Sequence, residues 1–135
     1  MGGFHALRFV FDVSRERSVR VVRILVAIKP RVYREVLALS LHQHRPDAEV
    51  LISPPEALDR EVGRFKPHLV VCTEGAVPDI PSGVLCRVEI MFSDGLDARI
   101  GLDGRVAETK DVGTEDLLAL VDQTEKMISR EEAVD

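Results

Sequence analysis

A chain of 135 residues, with 45 % apolar residues, 30 % charged residues and a formal charge of −5, is long enough for one hydrophobic core and too short for two comfortable ones. That balance belongs to a folded globular domain rather than a disordered chain. The acidic charge and the lack of a Lys/Arg stripe interleaved with aromatics argue against a nucleic-acid partner, and no run approaches the ~18 apolar residues of a membrane helix.

Residues 1–20 carry no clear periodicity and form an N-terminal extension. Three readings fit it: a flexible arm, an extra edge strand over Leu7 to Val13, or an upstream start. The stretch Phe4 to Val13 is interrupted by Arg8 and Asp12, which makes a poor signal-peptide core. Ala6 stands where a myristoylation signal after Gly2 requires Ser or Thr. A cytoplasmic location is therefore expected, with no membrane association.

The domain itself is expected over residues 21–128. Val21 to Ile28 is nearly continuous β-branched and aliphatic sequence, as in a strand covered on both faces. Pro30 suits a helix start, and Val32, Tyr33, Val36, Leu37, Leu39 and Leu41 predict a helix with a wide apolar face up to about His44, closed by Arg45-Pro46-Asp47. Ala48 to Ile52 reads as a second strand. Ser53 as N-cap, prolines in the first turn and Glu56 at the capping-box position predict a second helix, whose stripe is Leu58, Val62 and Phe65. Lys66-Pro67 ends it before a third strand, His68 to Thr73. The order βαβαβ implies parallel pairing through right-handed crossovers.

Gly75 to Gly83 is rich in proline and glycine and reads as a loop. Val88 to Phe92, Ala98 to Leu102 and Arg105 to Thr109 predict three more strands in a meander, with turns at Asp94-Gly95 and Asp103-Gly104. The second turn has type I′ chemistry and sets Arg99 opposite Glu108 and Ile100 opposite Ala107. Thr114-Glu115-Asp116 opens a last helix carrying Leu117, Leu118, Val121 and Ile128, and residues 129–135 read as a polar tail. The fold class is thus α/β: a three-layer parallel βαβαβ sheet continued by a β-meander and a C-terminal helix, with Leu37, Val70 and Leu118 expected in one core.

Ile24-Leu25-Val26-Ala27-Ile28-Lys29-Pro30, Arg45-Pro46-Asp47, Glu49-Val50-Leu51 and Pro67 to Thr73 together resemble the front half of a response-regulator receiver domain, of flavodoxin-like fold. Receivers hold Mg²⁺ with an acidic pair after the first strand, accept phosphate on an aspartate after the third, and place a lysine after the last. Matched position by position, the acidic pair falls on Ala27 and Ile28, which have no oxygen to ligate a hard cation. The phosphoacceptor falls on Thr73, a poor nucleophile without a base or metal beside it; a slip of one would put Glu74 there. Lys110 matches the lysine, although Asp111 replaces the proline that follows it in receivers, and a strand replaces the helix between the fourth and last strands. The resemblance therefore implies a pseudo-receiver that cannot be phosphorylated.

Other chemistry finds little support. Cys72 and Cys86 belong to no C-x-x-C pair and read as buried reduced thiols. His42 and His44 stand about 200° apart around a helix axis and cannot easily share a metal. The glycines form no phosphate loop between a strand and its following helix, and no serine or cysteine has a histidine at a recognisable motif spacing. No catalytic residue, cofactor or metal is assigned, and no enzyme activity is expected. The expected function is protein–protein interaction in signalling or regulation, with Val77, Ile80 and Val84 as apolar anchors of the interaction surface. A protein partner follows from that reading, and self-association is one form it could take. The alternative is a small-molecule-binding domain or an enzyme with its site near Glu74 to Gly83, beyond the carboxyl end of a parallel strand.

Overall fold

In the computed structural model, residues 7–9, 21–73, 75, 83–92 and 96–134 are described. Among them, β1 (Leu7–Phe9), β2 (Arg23–Ala27), β3 (Glu49–Ile52), β4 (Leu69–Thr73), β5 (Cys86–Phe92), β6 (Leu96–Leu102) and β7 (Arg105–Thr109) form one sheet in the order β1-β3-β2-β4-β5-β6-β7. The helices are α1 (Arg31–His44), α2 (Leu58–Phe65) and α3 (Thr114–Val134). The protein is an α/β domain with a mixed sheet. Parallel pairing joins β3, β2, β4 and β5, whereas β1 at one edge and β6 and β7 at the other pair antiparallel to their neighbours. Of the three readings of the N-terminal extension, the edge strand is present as Leu7–Phe9 against Val50 to Ile52.

Strand alternation divides the core in two. Ile24, Val26, Val50, Leu69, Val71, Val88 and Ile90 face α1 and α3, where Ala38, Leu41, Leu117, Leu120, Val121 and Ile128 complete one cluster. Leu25, Ala27, Leu51, Val70 and Cys72 face the other way and pack with Leu58, Val62 and Phe65 of α2. The expectation of one core holding Leu37, Val70 and Leu118 is corrected here. Leu37 and Leu118 pack against the α1/α3 cluster, while Val70 lies in the α2 cluster, because its neighbours Leu69 and Val71 take the opposite face.

Beyond α2 the same sheet face carries charge. Arg99 of β6 lies between Glu89 of β5 and Glu108 of β7 in register, with N···O separations of 3.4 and 3.6 Å. The β6–β7 hairpin has the expected register, Arg99 opposite Glu108 and Ile100 opposite Ala107. Its turn residues Asp103 and Gly104 have φ of 55° and 79°, the left-handed pair a type I′ turn requires.

Two local expectations are corrected. Ser53 does not cap the second helix: its hydroxyl donates to the Pro54 carbonyl at 2.8 Å, and a 3₁₀ turn, Pro55–Ala57, leads into α2 instead. Pro54 and Pro55 supply no backbone N–H, so of the two usual targets of an N-cap oxygen at Ser53 only that of Glu56 is left. The polar tail from Ser129 is helical, since α3 continues to Val134 through Arg, Glu and Ala, which are strong helix formers. The cap of α3 is Gly113, whose N–H donates to Asp116 Oδ2 at 2.8 Å.

Candidate functional site

A further correction concerns α1. Of its predicted apolar face, Leu41 is buried and Leu37 is half-buried, but Val32, Tyr33, Val36 and Leu39 are 58 %, 47 %, 61 % and 46 % exposed. The helix is anchored instead by Ala38 and Leu41 on the sheet side, and Arg34 Nη1 donates to the Ile28 carbonyl at 3.2 Å. Val32, Val36 and Leu39 have the i, i+4, i+7 spacing of one helical stripe, and here that stripe faces outward.

Part of this surface forms a wall of a groove of about 470 Å³. Ile28, Ile90 and Leu117 reach it from the sheet and α3, Val32, Tyr33, Val36 and Leu37 from α1, and Leu96, Val112 and Thr114 from the far side. Ile28 directly follows β2, Ile90 is near the end of β5, and Val112 follows β7. The groove therefore opens at the carboxyl edge of the parallel strands, the edge at which open α/β sheets bind ligands. Its lining is mostly aliphatic. The exposed side chains that flank it differ in sign: Lys29 and Arg31 stand at the start of α1, and Asp111 and Glu115 stand by the start of α3.

Four of the positions compared with a receiver, Ala27, Ile28, Thr73 and Lys110, are described. Ala27 is fully buried in the α2 cluster and Ile28 is 4 % exposed in the α1/α3 cluster, so the two side chains point to opposite faces. Thr73 is partly exposed, and its Oγ1 is buried without a hydrogen-bond partner among the described residues. Thr73, Ile90, Ala98 and Thr109 form one row across the sheet. Lys110 follows Thr109 and is exposed. It thus stands at the same edge as Thr73 but three strands away, about 14 Å at the usual strand spacing, well beyond the reach of a lysine side chain.

Val84 is half-buried and packs against the α2 cluster, which makes it a core contact rather than an exposed anchor. Val77, Ile80, Glu74 and the Asp94-Gly95 turn lie outside the described residues. Sequence reasoning missed the groove because an apolar helical stripe looks the same whether it faces a sheet or a partner.

Other ionisable groups lie away from the groove. Cys72 and Cys86 are free and buried. Burial pushes both thiols up to about 12, with Glu89 adding to the effect at Cys72, so neither is a ready thiolate. His68 Nδ1 accepts the Arg23 backbone N–H at 3.0 Å, and burial, then the Arg23 charge, lower its pKa to about 4. His44 Nδ1 is 2.9 Å from the Ser40 carbonyl. Among the described residues no group of three or more His, Cys, Asp or Glu side chains is placed to share a metal ion, and no helix is long and apolar enough to cross a membrane.

No protein-family model matches the chain, and neither does any curated protein or solved structure.

Proposed function

We propose that the chain is a non-catalytic, receiver-like module that cannot be phosphorylated and acts by binding another protein through its α1–α3 face. The parallel order β3-β2-β4-β5, with α1 and α3 on one side and α2 on the other, supports the receiver likeness. Apolar side chains at Ala27 and Ile28 support the loss of phosphoryl chemistry. The observation that carries the binding role is the stripe Val32, Val36 and Leu39, which exposes large aliphatic side chains that nothing in the described residues covers.

A small apolar ligand is the second reading, favoured by a groove volume within the usual 300–1,000 Å³ of ligand sites. Leu39 counts against it, because the exposed stripe runs beyond the groove lining. A photo-crosslinking residue at position 36, compared with one at Val106, tests the main reading. Val106 is 64 % exposed on β7 and serves as the control. A discrete protein adduct from position 36 in host cells, absent from position 106, is expected. Equal or no adducts at the two positions overturn a protein-binding α1 face.

A further inference from the structure

Resting on that reading of the α1–α3 face, we propose that its occupant is a second copy of this chain, in a two-fold dimer whose axis runs along the groove. The shape of the exposed patch comes first. Val32, Tyr33, Val36, Leu39 and Leu96 are 39 % to 61 % exposed and together present on the order of 400 Å² of apolar surface, the size of the largest patch on a soluble protein, which is often a functional one. Doubled by symmetry and ringed by polar residues, it supplies the apolar centre of a small interface of standard anatomy, about 800 Å² per partner in total.

Charge then selects the occupant and the axis. On the α1 side stand the exposed Lys29 and Arg31, with Glu35 bound to Arg31 at 2.7 Å. On the far side stand Asp97, Asp111, Glu115 and Asp116, with Lys110. The rim beside the start of α1 is net basic and the rim beside the start of α3 net acidic, on a chain whose overall charge of −5 would otherwise oppose self-association. Rotation about an axis along the groove brings each basic wall over the partner's acidic wall; an axis across the groove sets like charges together. The surface is complementary to itself in the first arrangement, as an isologous interface must be.

Sedimentation velocity on the full chain tests the proposal, from low micromolar to several hundred micromolar at low salt. The mass is expected to rise toward twice that of the chain, and added salt should shift the equilibrium back toward monomer. Val36→Glu should abolish the rise at an unchanged melting temperature, since Val36 is 61 % exposed. Lys29→Glu with Arg31→Glu should weaken dimerisation by about tenfold or more. Mixing that variant with one carrying Asp111→Asn and Glu115→Lys should restore a dimer of the two different chains; Asn tolerates the φ of 54° at position 111. A wild-type chain that stays monomeric throughout, or variants that dimerise as it does, overturn the second copy as occupant. A monomer whose position 36 still crosslinks to a different protein leaves the broader binding role standing.

Discussion

Arg45, just past the end of α1, grips Asp122 of α3 with a forked pair of hydrogen bonds, Nε to Oδ1 and Nη2 to Oδ2, both 2.8 Å. The contact fixes the far end of α1 against α3, at the opposite end of α1 from its groove-lining start. The hydrogen bond to Asp122 raises the Arg45 pKa, and its counterpart holds the Asp122 carboxyl below its ordinary value. The side chains remain 35 % and 45 % exposed, so solvent screens much of the attraction. Asp122→Asn is expected to cost about 0.5–1 kcal/mol, with the loss shrinking in high salt. A double-mutant cycle with Arg45→Gln, read by urea unfolding at two salt concentrations, checks it. A cost unaffected by salt would mean packing, not charge, holds the helices there.

Arg99 should matter far more than either of its partners' distance suggests. Glu89 has a side chain only 8 % exposed, and among the described residues it pairs with Arg99. Removing Arg99 leaves a buried carboxylate unpaired, a change that costs about 3 kcal/mol or more. Glu108, 67 % exposed, is screened by water. Arg99→Ala should therefore lower stability several-fold more than Glu108→Ala, whose effect should stay within about 0.5 kcal/mol. Thermal melts of the two variants decide the matter, and equal losses would show that Glu89 does not depend on Arg99.

Val70 has no exposed surface and lies under α2. Val70→Ala should cost about 1–3 kcal/mol as a buried apolar deletion. A change within about 0.5 kcal/mol in chemical denaturation would place the side chain outside the core. Because the two clusters lie on opposite faces, the cost of Val70→Ala should add to that of Leu117→Ala, with little coupling.

The strands and their order in the chain were legible from local pattern, because runs such as Ile24 to Ala27 and Leu69 to Cys72 are buried on both faces. The hairpin register was legible to the residue, since an Asp-Gly turn leaves little choice of pairing. What pattern could not supply was direction. Val70 and Val71 are alike in sequence and face opposite layers, and the α1 stripe gave no sign that Val36 points outward. The separation of Thr73 from Lys110 was hidden for a related reason: both residues end strands at one edge, and only the pairing order shows how many strands intervene. The groove is assembled from residues of α1, β5, β6 and α3, distant in sequence, so no local motif announces it.

His68 makes the fold sensitive to acid. Its pKa is near 4 when folded, against an ordinary 6.5, chiefly through burial and then through Arg23. Its Nδ1 must be unprotonated to accept the Arg23 N–H. Between those two values the unfolded chain binds a proton that the folded chain does not, so stability falls as pH drops from about 6.5 toward 4. His68→Asn keeps an acceptor and removes the titration. Unfolding free energy measured by urea across this window should decline for the wild type and stay flatter for the variant. Parallel curves would show that His68 is not responsible.

The phosphoryl chemistry of a receiver should be missing even when its reagents are supplied. Mg²⁺ needs hard oxygen ligands, and the matching positions are Ala27 and Ile28, whose side chains are buried in separate clusters. Without a metal to draw off charge, the Thr73 hydroxyl is too weak a nucleophile to attack a phosphoryl donor. Lys110 stands about 14 Å from Thr73 across three strand spacings, too far to steady a phosphate there. Acetyl phosphate with Mg²⁺ should therefore leave the intact mass unchanged, and Thr73→Asp should not restore phosphorylation, because it supplies the acceptor without the metal ligands or the lysine. A Mg²⁺-dependent phosphoryl adduct on the wild type would overturn this account of the strand ends. An adduct on Thr73→Asp alone would instead show that carboxylates outside Ala27 and Ile28 supply the metal site.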